Sequence, residues 1–306
     1  MRARYPDRTG YVDSIDAEIF FEVYENDSPT IVLVPTWNLF HSRAWKMQIP
    51  YLSRHYRVVA YDPRGNGASS RPEGPQFHSW RHYLADMLSV MDATDTGQAV
   101  LVGFSFSGYW ATVAAVLHPE RVTAVVAIGP GTGLGIVLPE RGEYSYTDRL
   151  NTTEGWAKDN VYFIREHYRQ YVEFFVSQIF SESHSTKQIE DGVSWGLETD
   201  AEQLIASDTA DLLPIGDTGK RAGPSRSSAP NGRTGGMWDF YRELSRPLLI
   251  IHGGADRIVA PQSSAALAVL TDATLTVLHG CGHAPHLRDP VTVNRVIRRF
   301  VERVAG

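Results

Sequence analysis

One cysteine, Cys281, occurs in the 306 residues, so no internal disulfide can form. No run approaches the roughly 20 apolar residues that a bilayer span needs. The opening Met1-Arg2-Ala3-Arg4-Tyr5-Pro6-Asp7 has no apolar stretch of signal-peptide type, and a cytoplasmic location is the expectation. Basic charge is not in excess: the formal net charge is -6 with the signs interspersed, which leaves no stripe for nucleic acid and no polybasic patch for a membrane surface. The expected partner is a small molecule. Internal repeats are also missing, and the sequence carries no sign of oligomeric state. The length accommodates one large domain, or a core with a lid.

What the chain does have is a series of short apolar runs bounded by turn residues: Thr30 to Val34, Arg57 to Tyr61, Ala99 to Gly103, Thr123 to Ile128, Leu248 to His252 and Leu275 to Leu278. They lack polar alternation and are interleaved with helix-period segments, which predicts buried strands of a mostly parallel sheet covered on both faces. Trp80, Tyr83, Leu84, Met87, Leu88 and Met91 share one face of a helix with Ser79 at its N-cap. Ala17 to Tyr24 alternates and reads as an antiparallel edge strand.

Between Gly129 and Met237 the strand rhythm stops. Trp156 to Phe180 carries aromatic and apolar residues at helical intervals, and Ser185 with Gln188 makes a capping-box pattern ahead of Ile189, Val193 and Leu197. Residues 1–130 and 241–306 are therefore expected to form an α/β core, and 131–240 an inserted helical cap. Its tail, Leu213 to Gly236, is rich in Gly, Pro, Ser, Arg and Thr, which predicts an exposed mobile loop.

The chemistry centres on Leu101-Val102-Gly103-Phe104-Ser105-Phe106-Ser107-Gly108, a strand running through a turn of small residues into a helix. A nucleophile elbow needs small residues two positions either side of the nucleophile. Gly103 and Ser107 meet that need around Ser105. Centring the elbow on Ser107 would put Tyr109 on its crowded inner side. A serine hydroxyl needs a base, and the base needs a carboxylate to orient it. Downstream, Asp256 follows the strand Leu248 to His252, and His283 follows the next one in a glycine-rich turn.

In this chain order, and with Tyr61-Asp62-Pro63-Arg64-Gly65-Asn66-Gly67-Ala68-Ser69 matching a D-x-R-G-x-G-x-S loop and His118-Pro119-Glu120-Arg121-Val122 matching a helix-to-strand joint, the chain resembles the α/β-hydrolase superfamily from about Gly10 to Gly129 and Pro247 to Val304. The resemblance implies a mostly parallel sheet of about eight strands with helices on both faces and an inserted helical lid. It also implies Ser105 as nucleophile, His283 as base and Asp256 as orienting acid, with no cofactor. The strand ending Ile128-Gly129-Pro130 offers no rival carboxylate.

Two positions depart from the family pattern. Ser107 stands where relatives usually have Gly, and its hydroxymethyl either crowds the elbow or supplies a hydrogen bond. The oxyanion loop reads Val34-Pro35-Thr36-Trp37-Asn38 in place of a strand followed by His-Gly, so the implied backbone donors are Phe106 and Trp37, Pro35 having no N–H. His252-Gly253-Gly254 mimics the missing motif but belongs to the acid loop. Trp37, Phe104 and Trp110, with His286, are the candidate pocket residues. The aromatics of the inserted segment are expected mainly to pack on one another. No metal site is expected: His78 with His82 and His279 with His283 repeat at four-residue spacing, but not on one helical turn. Cys281 is expected to fill a small-residue site.

The predicted activity is hydrolysis of a carboxylic ester or lactone of an apolar small molecule. Thioester hydrolysis, acyl transfer and carbon-carbon bond hydrolysis are alternatives on the same triad, and a ligand-binding module with little turnover is a further one.

Overall fold

All six apolar runs are strands of a single sheet in the computed structural model, which describes residues 3–212 and 236–305. Eight strands, β1 (Arg8–Ser14), β2 (Ala17–Tyr24), β3 (Thr30–Val34), β4 (Arg57–Tyr61), β5 (Ala99–Phe104), β6 (Val122–Ile128), β7 (Leu248–Gly253) and β8 (Thr274–Leu278), lie in the order β1-β2-β4-β3-β5-β6-β7-β8. From β4 to β8 every neighbouring pair is parallel, while β2 runs antiparallel to both β1 and β4.

Two strand expectations are corrected. Ala17 to Tyr24 is not the edge, because β1 pairs with it along its whole length. β1 carries no apolar run: its side chains are exposed or half-buried, and it is held by a hairpin turning through Asp16 at φ 58°. β8 is the opposite edge rather than a buried strand, and two of its five residues are exposed.

Alternation along the central strands sorts the core into two layers. Ile31, Leu33, Val100, Val102, Phe104, Val126 and Ile128 face the layer that contains the Pro290–Val304 helix. Val32, Val34, Leu101, Val125 and Ala127 face the layer formed by the Trp80–Ala93 and Phe106–Leu117 helices.

Between β6 and β7 lie the helices Val161–Glu166, Tyr168–Ile179, Thr186–Gly196 and Ala201–Thr209. Tyr171, Val172, Phe175 and Val176 join Trp37, Leu39 and Phe40 in one continuous apolar cluster, so this segment sits directly on the loop after β3. Phe175 meets Trp37 edge-on at 5.2 Å, and Trp195 meets Phe40 at 5.6 Å. The predicted capping box at Ser185 does not form: the Ser185 hydroxyl donates to the Glu182 carbonyl instead. Residues 213–235 of the predicted loop lie outside the described residues.

Candidate active site

Ser105 links β5 to the Phe106–Leu117 helix with φ 57° and ψ -119°, a conformation that L-residues rarely adopt. It is pinned by its N–H donating to the Ile128 carbonyl at 2.8 Å. A Cβ on Gly103 would collide with the Ser107 backbone, which is the physical origin of the small-residue rule at that position. On the other side the Ser107 hydroxyl is fully buried. It accepts from the Phe104 N–H at 2.8 Å and lies 3.0 Å from the carbonyls of both Phe104 and Val34. Of the two expectations for this serine, the hydrogen bond holds.

The loops after β7 and β8 cross tightly. Gly254 and Ala255 donate to the carbonyls of Leu278 and Cys281, and a Cβ on Gly253 would overlap the backbone of Cys281 and Gly282. This brings the His283 Nδ1 to 2.7 Å from Asp256 Oδ2, while Asp256 Oδ1 accepts from the N–H groups of Ile258 and Val259 at 2.7 and 3.0 Å. Burial would raise the Asp256 pKa, but the His283 charge and the hydrogen bonds from His252 and His283 outweigh it and hold the carboxyl well below the usual range. With Asp256 accepting, Nδ1 carries the proton and Nε2 of neutral His283 keeps its lone pair. Gly129, at φ 50°, makes room: a Cβ there would stand 3.2 Å from His283 Nδ1. The end of the Tyr168–Ile179 helix also grips this loop, since the Ile179 carbonyl accepts from His283 N–H at 3.1 Å and Glu182 accepts from Gly282 N–H at 2.6 Å.

Ser105 and His283 line one cavity of about 580 Å³, within the range of small-molecule sites. Among the described residues no hydrogen bond yet joins the Ser105 hydroxyl to the imidazole, a contact that commonly tightens only with substrate bound. Of the four candidate pocket residues, Trp37 and Phe104 line the cavity and Trp110 and His286 do not. Trp110 follows Phe106 by four residues on the same helix face and stacks on both Phe106, at 5.9 Å, and Tyr83, at 4.0 Å. His286 is fully buried between Trp45 and Phe104, at 5.0 and 4.5 Å, and is not at a surface. Burial, with the nearby His283 charge, lowers its pKa to about 3.

Phe106 begins its helix, so its N–H has no partner within that helix. Its N–H and that of Trp37 both lack acceptors among the described residues, and both residues line the cavity. Beside them the Thr36 hydroxyl is buried without a hydrogen-bond partner among the described residues. Trp156 and Phe175 also line the cavity, whereas Tyr162, Tyr168, Phe174 and Trp195 pack elsewhere. Arg141 reaches Asp159 at 3.0 Å and the Ile258 carbonyl at 2.9 Å, with its guanidinium 4.8 Å from the Trp156 ring. It escaped notice in the sequence because nothing local marks it. His252, whose motif belongs to the loop after β7, lies 3.0 Å from Asp256 Oδ2. Among the described residues no group of three or more His, Cys, Asp or Glu side chains is placed to hold a metal ion, and no helix is long and apolar enough to cross a membrane.

A family model described as alpha/beta hydrolase fold matches residues 29–290. The chain belongs to the α/β-hydrolase family. A 2-hydroxy-6-oxo-2,4-heptadienoate hydrolase of Pseudomonas putida is 26% identical over 267 residues, 84% of this chain and 82% of that protein. Among solved structures, the enol-lactonase from Burkholderia xenovorans LB400 superposes with a TM-score of 0.73 at 19% identity, covering 96% of this α/β hydrolase and 100% of that chain. A hydrolase from Pseudomonas aeruginosa PA01 gives 0.74 at 20% identity, with 96% and 98% covered.

Proposed function

We propose that this α/β hydrolase cleaves a carboxylic ester or lactone of an apolar small molecule, with Ser105 as nucleophile, His283 as general base and Asp256 as the orienting acid. The observation that carries this reading is the 2.7 Å contact between Asp256 and His283 on a cavity that also holds Ser105 in its φ 57° elbow.

Ser105 Oγ attacks the carbonyl carbon as His283 Nε2 takes its proton. The charge that develops on the carbonyl oxygen is met by the N–H groups of Phe106 and Trp37, and each such donor contributes about a hundredfold to a thousandfold in rate. His283 then protonates the leaving oxygen, the alcohol departs, and an acyl-Ser105 ester remains. Water enters and attacks the acyl carbon as it loses a proton to His283, which then passes that proton to Ser105 Oγ as the acyl–oxygen bond breaks and the acid leaves. No cofactor takes part in these steps.

The described residues of the 131–240 segment serve in this reading as a cap that closes the cavity with Trp156 and Phe175, and the aromatic walls favour an apolar acyl or aryl group. Carbon-carbon bond hydrolysis on the same triad is the second reading, supported by the likeness to the Pseudomonas putida hydrolase. A fluorophosphonate probe separates an enzyme from a silent binding module: mass spectrometry should find one adduct, on Ser105, and no labelling at that residue would count against catalysis.

A further inference from the structure

His252, at the end of β7, is fully buried and plays no part in the steps above. Its Nε2 stands 3.2 Å from the Val259 carbonyl and 3.0 Å from Asp256 Oδ2, the same oxygen that His283 Nδ1 meets at 2.7 Å. Both neighbours of Nε2 accept hydrogen bonds, so Nε2 carries the proton. Nδ1 then presents a lone pair, and the Ser264 hydroxyl at 2.7 Å is the donor that fills it. Ser264 is itself fully buried on the Pro261–Thr271 helix, so the tautomer is set from a rigid element. Two imidazoles thus converge on one carboxylate oxygen, one from the strand beneath and one from the active-site loop.

We infer that His252 is a positioning residue for the triad: held by Ser264, it fixes the Asp256 carboxylate and draws off part of its negative charge, so that His283 is oriented without being made too basic. A carboxylate facing His283 alone would stabilise the imidazolium more strongly and keep the base protonated to higher pH. The titratable groups that act on Asp256 are His283 and His252, beside the Ile258 and Val259 N–H groups that donate to its Oδ1, and those around His283 are Asp256, the buried, neutral His286 and the Glu182 carboxylate that holds the neighbouring Gly282 N–H. The inference rests on the proposed roles of Ser105, His283 and Asp256.

The test is the pH dependence of kcat/KM on a chromogenic ester for wild type, His252→Phe, His252→Gln and Ser264→Ala, with Ser105→Ala as reference. The expected result for His252→Phe is a tenfold to hundredfold fall in kcat, KM within about threefold, and the acid limb moved up by about half to one pH unit, since removing a donor leaves more charge on Asp256. His252→Gln, whose amide can again donate toward Asp256, should recover most of the rate. If the phenylalanine does not fold, Ser264→Ala carries the test, with a smaller upward shift expected. An unmoved acid limb in the folded variants, or a glutamine no better than phenylalanine, overturns the inference. Equal activity of Ser105→Ala and wild type would instead overturn the triad assignment beneath it.

Discussion

The Ser107 hydroxyl lies 3.0 Å from the Val34 carbonyl, tying the helix side of the strained turn at Ser105 to the strand that launches the Pro35–Asn38 loop. The Trp45 indole N–H donates to the same carbonyl at 3.3 Å. The two departures from the family pattern are therefore one structural unit. A serine at the position usually held by glycine supplies a donor at the base of a loop that has lost one through Pro35.

Ser107→Ala should cost about 1 kcal/mol of stability by losing a buried hydrogen-bonding group. Because Val34 leads into the loop that carries the Trp37 N–H, it should also lower kcat more than it raises KM. Thermal unfolding and steady-state ester kinetics check both effects. Unchanged kcat would detach the loop from this serine.

Gly253→Ala should abolish activity and stability together. The added methyl would overlap main-chain atoms of Cys281 and Gly282, which cannot move without displacing His283. Circular dichroism should show a lowered Tm or no folded protein. A fully active, stable variant would mean that the loops carrying Asp256 and His283 do not cross as described.

Stability should fall as pH drops below neutral. Burial holds His286 at about 3 and His78 at about 4 in the folded state, whereas an unfolded histidine titrates near 6.5. Protonating His78 would cost the contact of its Nδ1 with the Asn38 amide at 3.3 Å. The unfolded chain thus binds protons that the folded chain refuses. The stability from these neutral rings is complete above about 6.5, and declines by about 1.4 kcal/mol per pH unit for each histidine toward 4 and then 3. Asp256 has the opposite ionisation and acts lower, its depressed carboxyl losing stability only below the ordinary carboxylate range. Urea titrations from pH 7.5 to 4.5 check the slope. His286→Leu, which replaces two ring nitrogens without hydrogen-bond partners among the described residues, should flatten it.

Trp37→Ala should change substrate choice. The indole lines the cavity, meets Phe175 edge-on and donates to the Ser207 hydroxyl at 3.0 Å. Removing it opens the acyl end and loosens the segment above it. Bulkier acyl esters should gain relative to short ones. Identical selectivity across a series of chain lengths would place the acyl group elsewhere.

The central strands and the strained turn at Ser105 were legible in the sequence because each rests on local rules: continuous apolar runs for a sheet covered on both faces, and small flanking residues for a tight turn. β1 was not, since a half-exposed hairpin arm such as Arg8–Ser14 has no apolar signature. Trp110 and Phe104 looked equivalent beside the elbow, yet one is on the helix face turned to Tyr83 and the other ends a strand facing the cavity. His286 reads as a pocket residue from its place beside His283, but it is buried against Trp45, some 240 residues away in the chain, and local sequence carries no sign of that partner. His252 was set aside because it resembled a motif from another loop, and its contact with Asp256 arises only from how the turn after β7 folds back.

The hydrolysis of a short-chain p-nitrophenyl ester by wild type and Ser105→Ala tests the central claim most directly. The triad assignment predicts a fall in kcat of several orders of magnitude, on the order of a millionfold where nucleophile and base act as a unit, with the fold intact by circular dichroism. A residual rate near that of wild type would contradict it.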